Sequence, residues 1–338
     1  MQQEKVLLNH DKTMKYNNHL MPLKMAALIW SAVELLSYSE QAQASCGSSF
    51  CLVNTDWAVQ GAWMERGYRY DLRFETVRQD QLMRGSKKVN LTGFEARDAE
   101  QDTDSRRWLL NVDHGINENW GVSAAIPFID RRHQHAEAGQ PVSWNFRQIG
   151  DARITARYQT GLQDTKDGGA AVVGAHVGIK LATGKFDIAN LTGTKAERSL
   201  QPGTGTNDLL ASVYYRRVLS DIATTWFVQA NLEAPLQERD GFKPGRKIGI
   251  DLGIRTLWTS SLSPMLQLNF QHRASDSGIY AEPADSGGRS LSISPGLSYK
   301  ITPQTHAYGF VQVPVYQQVT GQQLSPKWAA TVGIQSHF

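Results

Sequence analysis

The stretch Gly245–Trp258, "GRKIGIDLGIRTLW", decides how this chain folds. Ile248, Ile250, Leu252, Ile254 and Trp258 share one parity; Lys247, Gly249, Asp251, Gly253 and Arg255 share the other. A helix repeats its apolar residues every three or four positions, so this spacing argues against one. In a strand successive side chains point to opposite faces. The stretch therefore reads as a strand with an oily face and a wet face. "GYRYDLRFETV" repeats the pattern, with Tyr68, Tyr70, Leu72 and Phe74 opposed to Arg69, Asp71, Arg73 and Glu75.

Twelve such segments run near 67–77, 105–114, 120–130, 149–159, 170–181, 208–218, 224–234, 246–258, 264–274, 289–300, 306–316 and 327–338. Most are about ten to twelve residues, the length a tilted strand needs to cross a bilayer. Strands of soluble sandwiches are nearer five or six. Long polar links, such as "RRHQHAEAGQPVSWNFRQ" and "QQVTGQQLSP", alternate with short ones such as "GINEN", "LSDIA" and "ITPQT". That alternation fits long external loops and tight periplasmic turns. The expected fold is all-β: an up-and-down antiparallel transmembrane β-barrel of about twelve strands over residues 67–338.

Aromatic residues support the barrel. Trp120, Tyr158, Trp226, Trp258, Tyr299, Tyr308 and Phe338 fall at strand ends beside short turns. Trp108, Phe128, Phe270, Tyr316 and Trp328 fall toward the other ends. All have the parity of the oily face, as two interfacial girdles require. The chain stops in mid-strand at Phe338, which reads as a lipid-facing closing residue and as a signal for the barrel assembly machinery.

Composition agrees. The chain has 338 residues, is 41% apolar and 20% charged, and has a net charge of +3. No run of apolar residues is long enough for a membrane-spanning helix, but a barrel faces lipid with only every second residue. The small, dispersed positive charge gives no case for nucleic acid.

The amino terminus reads as export machinery. Lys24 precedes the apolar "MAALIWSAVELL", and "AQA" at Ala42–Ala44 offers a small-x-small cleavage pattern. Residues 1–44 are thus expected to be a signal peptide, with Met21 or Met25 as alternative starts. Cys46 and Cys51 follow directly; in an exported chain such a pair reads as a disulfide. Two thiolates without a nearby His make an incomplete metal site, and Gln43 suits a lipidation signal poorly. Residues 45–66, with Trp57 and Trp63, then form either a hatch in the barrel mouth or a periplasmic extension.

Three stretches carry a family resemblance: "GIKLATGKFD" (Gly178–Asp187), "LQPGTGTNDLL" (Leu200–Leu210) and "FVQVPVYQQVTGQQLSP" (Phe310–Pro326). With Phe338 they resemble the outer-membrane family named for the MetA pathway of phenol degradation, over roughly Gly67–Phe338. Relatives often carry Pro after the Leu of "LATGK". The resemblance implies a transporter-like barrel in the Gram-negative outer membrane, passing aromatic or other small organic solutes. The glycines of "PGTGT" and "ATG" read as turn formers, and Pro314 as a bulge or broken ladder pair; such a bulge is more often only a kink, and otherwise admits a solute through the wall or shapes a loop.

If the oily face meets lipid, the other face lines a lumen. Its basic candidates are Arg69, Arg73, Arg107, Arg153, Arg157, Lys180, Arg216, Lys247, Arg255, Arg273 and Lys300. The acidic ones are Asp71, Glu75, Asp113, Asp151, Asp208, Glu233 and Asp251, and His176 lies among them. The basic excess favours anions in an open pore. Mutually paired charges would instead fill a narrow barrel. His133 and His135, in "HQH", read as a solvated external loop, and His114 and His272 lack the neighbours of a catalytic triad. No nucleotide, haem or iron–sulfur motif occurs, so neither cofactor nor catalytic group is expected. The expected partners are outer-membrane lipid, the assembly machinery and a small organic solute. The alternatives are a non-conducting scaffold of an export or electron-transfer complex and, third, a membrane hydrolase.

Overall fold

Period-two segments of this length pair edge to edge, and only closure satisfies the last edge in lipid. The computed structural model shows that closure, and describes residues 53–56, 59–60, 66–92, 99–162 and 170–338. The proposed signal peptide, Cys46, Cys51, Trp57 and Trp63 lie outside the described residues. The strands are β1 (Gly67–Arg84), β2 (Lys87–Lys88), β3 (Glu100–Gly115), β4 (Trp120–Glu137), β5 (Gln140–Ile149), β6 (Ala152–Leu162) and β7 (Ala171–Leu181). Then follow β8 (Asp208–Leu219), β9 (Thr224–Pro235), β10 (Lys247–Thr256), β11 (Leu262–Arg273), β12 (Gly288–Lys300), β13 (Thr305–Val319) and β14 (Gln322–His337).

All pairings are antiparallel between neighbours, and β14 returns to pair with β1. β2 is a two-residue appendage of β1. β5 and β6 together make one stave: β5 pairs with the outer half of β4, and β6 with its inner half. The ring therefore has twelve staves.

The ring is polar inside and apolar outside. Ile248, Ile250, Leu252 and Ile254 are 41–46% exposed, while Asp251 between them is buried. Arg69, Asp71, Glu75, Arg157 and Lys180 are buried as well. That inversion of a soluble core is what a lipid solvent selects. Trp108, Trp120, Phe128, Tyr158, Trp258, Tyr299, Tyr316, Trp328 and Phe338 are exposed. Tyr70 meets the Phe338 ring edge-on at 6.0 Å.

Tyr308 departs from the expected girdle. It points inward, is 5% exposed, and donates to Asp71 Oδ2 at 2.8 Å. In β13 it is Val311, Val313 and Val315 that face out. The alternation there is ambiguous because Phe310 and Val311 are both apolar. A register shift opposite Leu291 and Ser292 then turns Tyr316 outward.

Two expected loops are mostly strand. "RRHQHAEAGQPVSWNFRQ" continues β4 and returns as β5 through a turn at Ala138 and Gly139, both at positive φ. "QQVTGQQLSP" contains only Thr320 and Gly321 between β13 and β14. His133 and His135 are accordingly buried on β4 against Trp144, not solvated in a loop. Above the bilayer the outward residues are polar too, so the oily-to-wet contrast that marks a strand disappears.

Candidate functional site: the lumen

Strand alternation gives each stave two faces, and closure of the ring turns one of them into a lumen. The lumen holds a cavity of about 600 Å³. Arg69, Arg73, Arg107, Asp113, Arg153, Arg157, His176, Lys180, Lys247, Asp251 and Arg273 line it. Arg216, Arg255 and Lys300 do not line this cavity; each stands near a short-turn end of its strand. Among the described lining residues eleven are Arg or Lys and six Asp or Glu, so the basic excess persists in three dimensions.

The charges interlock along the wall. Arg69 meets Asp113 at 3.2 Å, and Glu75 bridges Arg73 (3.0 Å) and Arg107 (2.8 Å). Glu233 bridges Arg153 (2.7 Å) and Lys247 (3.1 Å). These pairs keep buried charges from standing alone in a low dielectric, which would be costly. Arg153, with 42% of its side chain exposed, is the member most available to a solute.

From outside, the cavity is covered by the chain between β7 and β8. Asp151 holds that loop. Its carboxylate accepts from Gly184 N (3.0 Å), Thr204 N (2.9 Å) and Thr204 Oγ1 (3.0 Å), and Lys180 Nζ lies 3.6 Å away. The glycines of the two quoted motifs serve close approach. A Cβ on Gly203 would stand 2.3 Å from Gly184 O, so the two backbones touch. Leu200 and Ala196 bury against Trp144, Phe146 and Leu324. The Arg198 guanidinium lies over Phe186 (4.5 Å) and Phe242 (5.1 Å), clasping this loop to the one between β9 and β10.

Among the described residues, Glu197 and Glu282 in the outer loops carry carboxylate oxygens that lack a donor. Both oxygens of Glu197 and Oε2 of Glu282 are sealed from solvent without a hydrogen bond. Burial, then Asp285 and Asp276, push the Glu282 carboxyl up to about 8. Burial, then Glu282 and Glu100, push Glu197 well up too.

The described part of the 45–66 segment lies against the inner wall. Asn54 bonds to Gln229, Gln267 and Asp251, Thr55 accepts from Arg73, and Asp56 meets His176 at 3.2 Å. The amides Gln229, Gln267 and Asn269 are uncharged and are absent from the expected lining; their inward parity is the signal by which they can be found.

The wall itself has a seam. β13 and β14 pair from Thr305–Ser336 up to Gln312–Ala329 and no further. Above that, β14 pairs only with β1 and β13 only with β12. Pro314 and Pro326 stand on the two sides, and proline has no N–H to give a ladder. Gln317 Nε2 donates to Pro326 O across the seam at 3.1 Å. Pro314, Gln317, Leu324 and Pro326 also line the cavity, so it reaches the seam.

Among solved structures, a COG4313 outer membrane channel from Pseudomonas putida F1 superposes with a TM-score of 0.65 at 12% identity, covering 85% of this chain and 99% of that one. The KdgM porin is matched at 0.40 and 11% identity, covering 80% of this chain and 99% of that one. The CymD monoaromatic hydrocarbon channel is matched at 0.38 and 10%, covering 81% and 89%. The first likeness shows a shared fold, a closed antiparallel β-barrel; the other two are too distant to argue from. No family model and no curated protein matches the chain.

Proposed function

We propose that this barrel is a passive channel for small organic solutes in the outer membrane of a Gram-negative cell. The observation that carries the reading is the basic-biased cavity of about 600 Å³ inside a ring whose outer face is apolar. A solute enters beneath the outer loops, passes Arg153 and the neighbouring ion pairs, and leaves toward the short-turn end. The seam between β13 and β14 supplies a side door, because the cavity reaches a part of the wall without ladder bonds. A solute with an apolar portion gains by leaving into lipid there.

The aromatic solutes implied by the family resemblance fit the cavity in size. The described lining offers them two rings, Phe242 and the His176 imidazole, so the lining gives little to select by aromatic stacking. A barrel closed at rest is the second reading, favoured by the loop seated on Asp151 and by residues 53–56 on the wall. It makes the channel gated.

Planar-bilayer recording of the full-length protein tests the proposal. Discrete, anion-preferring openings are expected, and Arg153→Gln with Arg157→Gln should move the reversal potential toward cation preference. A barrel that inserts and never conducts, and whose liposomes take up no more solute than empty ones, refutes it.

A further inference from the structure

Residues 53–56 read Val-Asn-Thr-Asp, and each of the four side chains has its own receiver on the wall. Val53 sits in an apolar slot with Met265, Tyr308 and Phe310. The Asn54 carboxamide donates to Gln229 Oε1 and to Asp251 Oδ2, the latter at 3.4 Å. The Thr55 hydroxyl accepts from Arg73 Nη1. The Asp56 carboxylate meets His176 Nε2 at 3.2 Å.

The main chain is read as well. Gln267 Oε1 accepts from Asn54 N at 2.9 Å, and Gln267 Nε2 donates to Asn54 O at 2.9 Å. One side-chain amide thus pairs with both polar groups of one residue, as a neighbouring strand would. Gln267 is 1% exposed.

The receivers are themselves held. Asn269 Nδ2 donates to Asp251 Oδ1 at 2.8 Å and to Gln267 Oε1 at 3.3 Å, and Ser294 fixes Asn269 from the next strand at 2.8 Å. Ser212 Oγ lies 2.9 Å from both His176 Nδ1 and Gln229 Nε2. The receivers form two sets, His176, Ser212 and Gln229 on β7 to β9 and Asp251, Gln267, Asn269 and Ser294 on β10 to β12; each set is held by wall residues, and Asn54 bridges the two. Preorganised polar groups of this kind bind without paying for their own ordering.

We infer that this belt is a peptide-binding site, occupied by the chain's own Val53–Asp56 and open to short peptides of the same character when that segment withdraws. The ligand class is a short peptide with a small apolar residue, then Asn, then a hydroxyl residue and an acidic one. The inference deepens the channel reading and rests on it, since it names a solute class for the same lumen. It also makes residues 53–56 an internal competitor that a peptide solute displaces.

Binding, not conductance, tests it, so its failure is separable from failure of the channel reading. The probe is fluorescein-labelled Val-Asn-Thr-Asp. The protein is the full chain in detergent carrying Asn54→Ala and Asp56→Ala, with folding checked by heat-modifiable gel migration. Saturable binding about tenfold tighter than to the native chain is expected, because the native site is filled. Adding Gln267→Ala should weaken it by about tenfold, the worth of roughly one or two hydrogen bonds. No saturable binding to the folded variant, or binding indifferent to Gln267→Ala, overturns the inference. If the variant does not fold, hydrogen exchange of residues 53–60 in the native chain decides. Faster exchange with millimolar unlabelled peptide supports displacement; unchanged exchange overturns it.

Discussion

At the scale of single residues, one carboxylate and two glycines set the seat of the loop between β7 and β8. Asp151 accepts three hydrogen bonds from a loop that must fold back over the lumen. Asp151→Ala strands those donors and leaves Lys180 with Asp208 and the Thr204 hydroxyl. A loss of about 2–3 kcal/mol in loop order is expected, the range for hydrogen bonds to a charged group. Hydrogen exchange of residues 182–207 measures it; unchanged protection would show that the loop is held elsewhere. Gly203→Ala acts by bulk instead. Its Cβ has only backbone to meet, so the loop must lift off Gly184, costing about 1–3 kcal/mol as overpacking does. Higher open probability in bilayers is the readout.

These residues also show the limit of reading by motif. "ATG" and "PGTGT" read as turn formers, and Gly205 does sit at positive φ. Gly184 and Gly203 do not; they are small because two backbones meet there. A motif does not carry the identity of its distant neighbour.

At the scale of elements, the seam and the outer loops each make a prediction. Cysteines placed by Gln317→Cys and Pro326→Cys and joined by a short bifunctional thiol reagent should tie β13 to β14. Ion conductance through the lumen is expected to persist, while liposome uptake of an amphipathic solute falls. Equal effects on both would deny the seam a separate route. The loop between β11 and β12 is expected to respond to pH through Glu282. Its carboxyl is raised to about 8 in the folded loop, against an ordinary value near 4.5. Ionisation is therefore resisted by the fold: loop stability is complete below about pH 4.5 and is lost progressively up to about pH 8. Limited proteolysis at residues 274–287 should accelerate across that window, and Glu282→Gln should flatten the profile.

At the scale of the whole molecule, the governing fact is the apolar exterior. Leu252→Arg places a charge on the lipid face of β10, where burial in a bilayer costs about 2–4 kcal/mol near mid-depth. Folding into vesicles, followed by heat-modifiable migration, should show that loss. The same substitution at a site with no lipid contact would be nearly neutral, so an unchanged transition would remove the membrane assignment of this face.

The sequence by itself determined the staves, their number and, outside β13, which face of each meets lipid. A bilayer imposes one strong contrast, oil against water, at every second residue. That contrast is local and survives in a one-dimensional reading, as in Gly245–Trp258. Only the tertiary structure decided the inward turn of Tyr308, the strand extensions around His133 and His135, the seam beside Pro314 and Pro326, and the seating of Val53–Asp56 on the wall. Each of these joins residues far apart in the chain, and most join polar group to polar group. Between polar partners no hydropathy contrast exists to betray the contact.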